Sequence, residues 1–254
     1  MKAKRNDSEK PNPYVYAIIP AAGSGIRFGG KIRKQFLELA GTPIFIHTLN
    51  LFQQSPVINE IICVVPREDL ASSSTLISRL RLTKVTKVIS GGVRRQDSVS
   101  AAVEVIDKKG HPADIVLVHD GVRPLATASL IKEIVQMVEK TGAAVASRRV
   151  TDSLKEVFED GTIQRSLPRD TIWSMQTPQG FRLSILSSAC QKGVEDRFDA
   201  TDEAMLVERL GIPIHCVEGP QENIKITTAS DLKLANAFLR DKGISKNSAD
   251  KKVD

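Results

Sequence analysis

The stretch AIIPAAGSGIRFGGKIRKQF, Ala17–Phe36, opens as an apolar run, breaks into small residues, and then delivers Arg27, Lys31, Arg33 and Lys34 within eight positions. An apolar run that ends in Pro20-Ala21-Ala22-Gly23 predicts a buried strand whose exit leaves backbone N–H groups bare. Bases beside bare amides suit phosphate. Two familiar phosphate loops are nearly spelled here and both fail. A G-x-G-x-x-G dinucleotide loop would start at Gly23-Ser24-Gly25, but Phe28 stands where helix and strand must pack closely. A P-loop would run from Gly25 to Gly30-Lys31, but Ile32 replaces the hydroxyl that would hold a metal ion. The bland alternative is a tight solvated turn with ordinary surface bases.

Outward from this stretch the pattern alternates. Short β-branched runs fall at Val15–Pro20, Ile61–Val65, Val85–Ile89, Ile115–His119, Ala143–Ala146 and Ile214–Val217, and helix-length periodic segments at about 42–54, 68–81, 97–108, 127–141, 182–193, 202–210 and 228–240. Strand and helix in alternation predict an α/β fold, a doubly wound, mostly parallel sheet. The segment 151–169 departs from the rhythm: Leu154–Phe158 and Thr162–Ser166 flank an Asp160-Gly161 turn, which reads as an inserted β-hairpin arm. WSMQTPQGF, with Trp173, Thr177, Pro178 and Gln179, reads as scaffold returning the chain from the arm to the sheet. Residues 1–13 and 241–254 are polar and read as loose tails around a domain at 14–240.

With 41% hydrophobic and 26% charged residues, composition is that of a soluble globular protein, and no run approaches the ~20 apolar residues of a membrane span. Asp7, Glu9 and Pro20 argue against a cleaved leader. The net charge is +6, half of it from the two ends, and aromatics are 4%, which excludes a nucleic-acid groove and favours phosphorylated small molecules. Cys63, Cys190 and Cys216 have no metal-ligand spacing and read as reduced core thiols of a cytoplasmic protein.

The arrangement PAAGSGIRFGGKIRKQFLELAGTPIFIHTL resembles the N-terminal signature of the Rossmann-like sugar-nucleotide and alditol-nucleotide pyrophosphorylases. Within them the chain is most similar to the 2-C-methyl-D-erythritol 4-phosphate cytidylyltransferase family of non-mevalonate isoprenoid synthesis. The likeness runs from about Tyr16 to Leu239 through GGVRRQDSVSAAV, VLVHDGVRP, TDSLKEV, LPRDTIWSMQTPQGFR, TDEAMLVERLG and VEGPQENIKITTASDL.

The resemblance implies that Ala21, Ala22 and Gly23 face the nucleotide of CTP, that Arg27 grips its triphosphate, and that Lys34 reaches the α-phosphate. Lys31 and Arg33 receive no role and read as surface charge. Gly92, Asp97 and Ser98 match the cytosine-reading segment; the plain alternative is a Gly turn with a helix cap. Asp120 ends the run IVLVHD, where α/β sheets bind ligands, and by resemblance lies near Mg²⁺, with Arg123 structuring its loop. A carboxylate among phosphates implies a metal. His119 reads as structural. Ser153, where the family commonly has threonine, and Arg169 are implied to reach the partner subunit's site, which makes the enzyme a homodimer. In ATDEA, Thr201 is implied to touch substrate, while Asp202 and Glu203 read as acids at a helix start. Lys225, between Ile224 and Ile226, reads as a lysine on a short strand and by resemblance is the second catalytic cation. The nearest rival is ribitol-5-phosphate cytidylyltransferase, towards which Val122 in DGVRP leans. A rival of another class is a non-catalytic nucleotide sensor, which the retained Arg27, Lys34 and Lys225 disfavour.

Overall fold

Three apolar runs, β1 (Val15–Pro20), β4 (Glu60–Val65) and β6 (Ile115–Val118), lie side by side at the centre of a sheet covered on both faces, which is why they are continuously apolar. This computed structural model describes residues 13–23 and 33–241. Its other elements are β2 (Glu38–Leu39), β3 (Thr42–Pro43), α1 (Ile44–Gln54), α2 (Leu70–Arg79), β5 (Val85–Ser90), α3 (Arg95–Asp107), α4 (Ala128–Thr141), β7 (Ala143–Arg149), β8 (Lys155–Val157), β9 (Ile163–Ser166), β10 (Trp173–Arg182), α5 (Leu183–Glu195), α6 (Glu203–Glu208), β11 (His215–Glu218) and α7 (Ala229–Asp241). Arg27 lies outside the described residues, as do nearly all of the two expected tails; α7 runs through Asp241.

Seven strands form the main sheet in the order β11-β7-β10-β6-β1-β4-β5. β10 runs antiparallel to β6 and β7, and the remaining pairings are parallel. The period of two along β1 divides the core. Ala17 and Ile19 pack with Phe45, Leu49 and Phe52 of α1 and Ile131 and Ile134 of α4, whereas Tyr16 and Ile18 pack with Val99 and Val103 of α3 and Leu186 of α5. A third cluster joins Leu39, Ile44, Val122, Leu125 and Ile226 to Ala235 and Leu239 of α7.

Four sequence readings change. WSMQTPQGF is part of a ten-residue strand inside the main sheet, β10, rather than a returning connection. Its Gln, Thr and Pro hide it from a reading based on β-branched runs, and its register shifts between Met175 and Gln179, beside a proline that cannot donate to a ladder. Gly180 lets this strand lie under α4, since a Cβ there would come within 2.7 Å of Ile134 and Leu117 side-chain atoms. Lys225 sits on an extended loop rather than a strand. Cys216 is exposed, because β11 is an edge strand whose neighbour Val217 turns inward instead. Glu203 turns out to do more than start a helix, as described below.

The arm forms as expected, with β8 and β9 paired antiparallel in a sheet of their own. Gly161 takes a φ of 86° at the turn and Thr162 N donates to Asp160 Oδ1 at 2.9 Å. Among the described residues no helix is long and apolar enough to cross a membrane.

Candidate active site

The chain exits from β1, β4, β5 and β6 converge on a cavity of about 520 Å³ at the carboxyl edge of the sheet. Pro20 ends β1 and Ala21–Gly23 follow it, Pro66–Glu68 follow β4, Gly91–Arg95 follow β5 and Asp120 follows β6, while Arg33, Lys34, Gln35 and Lys225 close the remaining sides. The small residues are dictated by crowding. A Cβ on Gly91 would lie 2.3 Å from Ala22 Cβ, and one on Gly121 3.0 Å from Ala21 Cβ.

Gly92 could not carry a side chain either, since its Cβ would lie 2.5 Å from that of Asp97. The Ser98 hydroxyl accepts from Gly92 N and donates to Arg94 O, each at 3.1 Å, and Asp97 accepts from Arg94 N at 3.0 Å. In the free chain both side chains therefore shape the turn that leads into α3. Gln35 Nε2 donates to Gly23 O at 3.0 Å, joining the described stretch that ends at Gly23 to the one that begins at Arg33. Arg33, expected to be plain surface charge, lines the cavity and is paired with Asp69 at 2.6 Å and with Glu68.

Charge concentrates around Asp120. This carboxylate is 5% exposed and meets Arg95 Nε at 3.0 Å through Oδ1, and Lys225 Nζ at 3.0 Å and Arg123 Nε at 3.4 Å through Oδ2. Burial alone would raise its pKa, but Arg95, Lys225 and Arg123 outweigh burial and hold it far below the usual carboxylate range. The fork of Arg95 grips Glu203, with Nη1–Oε1 at 2.7 Å and Nη2–Oε2 at 2.9 Å, and Glu203 is 1% exposed. Desolvation raises the Glu203 pKa, and the Arg95 charge opposes it. Among the described residues six bases line the cavity, Arg33, Lys34, Arg67, Arg94, Arg95 and Lys225, against the acids Glu68 and Asp120, so the site suits a polyanion.

A buried relay fixes the Asp120 backbone. Asp120 N donates to Thr177 Oγ1 at 3.2 Å, Thr177 Oγ1 lies 3.0 Å from His119 Nδ1, and His119 Nε2 lies 2.9 Å from Arg123 O. A carbonyl only accepts, so Nε2 carries the proton and Nδ1 accepts from threonine. Burial lowers the His119 pKa to about 4, which keeps this tautomer neutral and its role structural. Asn223 then places Lys225, donating to Thr177 O at 2.8 Å and Gln176 Oε1 at 3.1 Å. Arg123 Nη1 holds Asn223 O at 2.8 Å, and Ile226 N holds Val122 O at 2.9 Å.

The structure thus gathers Ala21, Ala22, Gly23, Lys34, Gly92, Ser98, Asp120 and Lys225 around one cavity, with Arg123 behind Asp120 and Asp97 behind Gly92. Among the described residues Ser153, Arg169 and Thr201 do not line it. Arg169 Nη1 donates to Thr151 O at 3.2 Å within the arm, and exposed Thr201 lies against Met205. Sequence reasoning passed over Arg95, Gln35 and Asn223, and read Glu203 only as an acid at a helix start and Thr177 only as scaffold. Arg95 stood inside the quoted GGVRRQDSV block, but nothing in the spacing announces two buried carboxylates on either side of it.

The profile of the 2-C-methyl-D-erythritol 4-phosphate cytidylyltransferase family matches residues 15–241. The enzyme of that name from Syntrophus aciditrophicus is 43% identical over 229 residues, covering 90% of this chain and 97% of its own. The one from Lysinibacillus sphaericus is 41% identical, covering 91% and 97%. Among solved structures, 4-diphosphocytidyl-2C-methyl-D-erythritol synthase from Anaerococcus prevotii superposes with a TM-score of 0.79 at 28% identity over 90% of this chain and 97% of that one. The 2-C-methyl-D-erythritol 4-phosphate cytidylyltransferase of Francisella tularensis gives 0.75 at 33% identity over 88% and 99%.

Proposed function

Because this chain belongs to the 2-C-methyl-D-erythritol 4-phosphate cytidylyltransferase family, we propose that the cavity at the carboxyl edge of its sheet is where the family's reaction takes place. The chain is a cytidylyltransferase. It transfers CMP from CTP to 2-C-methyl-D-erythritol 4-phosphate, releasing pyrophosphate and forming 4-diphosphocytidyl-2-C-methyl-D-erythritol. The observation that carries the site assignment is the surplus of bases around Asp120 at the strand exits.

In this reading a 4-phosphate oxygen of the alditol attacks the α-phosphorus of CTP in line, and the bond to the bridging oxygen of the departing pyrophosphate breaks. A phosphate monoester is already ionised near pH 7, so no general base is needed, and catalysis rests on positioning and on cations where charge develops. Lys34 and Lys225 supply that charge, joined by Arg27. Ala21, Ala22 and Gly23 give backbone room for the nucleotide, and Gly92 with Ser98 and Asp97 forms the base-reading turn. Arg123 acts through Asp120.

A divalent cation, Mg²⁺ by preference, would find one carboxylate here, Asp120, whose oxygens it would share with Arg95, Lys225 and Arg123. Among the described residues no three potential metal-ligating side chains cluster, but Mg²⁺ commonly takes one or two carboxylates and draws its other oxygens from water and phosphates. Asp120 would hold it. Bound with CTP, the ion would neutralise charge on the phosphate oxygens.

The active form is a homodimer joined through the arm. Val157, Phe158 and Ile163 are 51%, 52% and 64% exposed on a ribbon that pairs only with itself, which leaves apolar surface for a second copy. Ser153 and Arg169, absent from the cavity of their own chain, serve the neighbour's alditol phosphate, while Thr201 touches substrate from the α6 side. The enzyme works in the cytoplasm.

Val122, the residue that leans towards ribitol phosphate, is 6% exposed, packs with Leu39, Ile44, Leu125 and Ile226, and also lines the cavity, so the choice of acceptor is decided by assay. Pyrophosphate release from CTP with each of methylerythritol 4-phosphate and ribitol 5-phosphate tests the reading. Methylerythritol phosphate should be used far more efficiently; preference for ribitol phosphate would overturn the assignment.

A further inference from the structure

Asp120 and Glu203 are both buried at this site, and Arg95 joins them. Glu203 does not line the cavity, and the start of α6 does not need it. Asp202 Oδ1 accepts from Met205 N at 3.0 Å, Gln179 Oε1 accepts from Ala204 N at 3.0 Å, and Gln179 Nε2 donates to Asp202 Oδ2 at 2.9 Å. Both Glu203 oxygens are thereby left to the two terminal nitrogens of Arg95. A buried ion pair is weak support for stability, because desolvation offsets its attraction, so the reason for a carboxylate here lies in what it does to Arg95.

We propose that Glu203 is a positioning residue for nucleotidyl transfer: by occupying the Arg95 fork it leaves only Nε for Asp120 Oδ1, and so keeps Oδ2 turned to Lys225. An Arg95 released from Glu203 could close its planar fork over both oxygens of Asp120, the favoured bidentate geometry of guanidinium with carboxylate. Lys225 Nζ, now 3.0 Å from Oδ2, would lose the contact that orients it. The proposal rests on Asp120 and Lys225 taking part in the reaction.

Glu203→Gln, whose amide nitrogen cannot accept from the fork, should lower kcat about 10-fold or more while KM for CTP changes less than about threefold, a split that general loosening of the fold would not produce. Arg95→Met should also lower kcat. The pair Arg95→Met/Glu203→Leu removes both charges together and should fold, with kcat within about twofold of Arg95→Met alone, because Glu203 then has nothing left to hold. Wild-type kcat in folded Glu203→Gln, wild-type kcat in Arg95→Met, or a further large loss in the pair would each overturn the proposal. The pair decides the matter even where Glu203→Gln does not fold. Asp120→Asn, assayed alongside, separates the two levels: full activity there defeats the site assignment itself, whereas an inactive Asp120→Asn with normal Glu203→Gln defeats only the role of Glu203.

Discussion

The cavity and the arm are built on opposite principles. Around Asp120 a chain of buried hydrogen bonds links Thr177, His119 and Asn223, and the backbone turns are packed so closely that Gly91 and Gly92 admit no Cβ. The arm has one turn, one short ladder and exposed apolar side chains. Order in the two regions has different sources. The cavity is preorganised by its own chain, as electrostatic catalysis requires, whereas the arm has no core and would gain burial only against another surface.

The largest effects should come from testing whether the two regions meet between chains. Lys34→Ala and Lys225→Ala should each lower kcat about 100-fold or more with little loss of CTP affinity, the scale for removing one transition-state donor. Normal turnover in either variant would break the assignment of the cavity. Arg169→Ala should also be inactive, yet mixing it with Lys34→Ala should restore roughly a quarter of wild-type activity, since half the dimers formed at random are mixed and each has one intact site. Confirmed mixed dimers with no recovery would confine Arg169 to its own chain.

A second test concerns the cavity side alone. His119, held between Thr177 and the Arg123 carbonyl beside Phe52, has its pKa lowered to about 4 by burial, against 6.5 in the unfolded chain. The unfolded imidazole therefore takes up a proton that the folded one refuses, so stability falls as pH drops from 6.5 towards 4, by roughly 3 kcal/mol in all. Asp120, depressed below its ordinary 3.8, loses its contribution only at lower pH, outside this window. His47, also lowered by burial, adds a smaller slope of the same sign. Urea midpoints at pH 7 and 4.5 should diverge for the wild type and lie closer together for His119→Asn, with His47 supplying the remaining slope, even though that variant starts less stable. Equal slopes would mean that His119 is charged in the fold.

What could be read in the sequence follows the same division. Continuous apolar strands, glycine-broken strand exits and the Asp160-Gly161 hairpin all carry local signals, so the α/β alternation, the cavity's position and the arm were legible. β10 was not, because its buried Gln176, Thr177 and Gln179 earn burial through partners far along the chain, His119, Asn223, Asp202 and Ala204 among them. Arg95 and Glu203 were hidden for the same reason, being 108 residues apart in the chain. Polar residues on a strand or at a helix start that act through distant contacts have no period to betray them.

The smallest effects should come from one added methyl in each region. At Gly180 an alanine Cβ would stand 2.7 Å from Ile134 and Leu117 atoms and 2.9 Å from Val138, so Gly180→Ala overpacks the sheet beneath α4 and should cost about 1–3 kcal/mol. For a domain of this length that is a fall of a few degrees in Tm. At Gly161 nothing lies within 4 Å of such a Cβ, but φ is +86°, so Gly161→Ala should cost about 1–2 kcal/mol through backbone strain alone. The cost should stay in the arm. Below the dimer dissociation constant, Tm should hold within about one degree, since the ribbon is not part of the cooperative core. Amide exchange in Lys155–Val157 and Ile163–Ser166 should nevertheless quicken, and sedimentation over a concentration series should show weaker dimerisation. Equal falls in Tm for both variants of the dilute monomer would mean that the arm unfolds with the sheet, and the contrast between a self-sufficient cavity and a partner-dependent arm would fail.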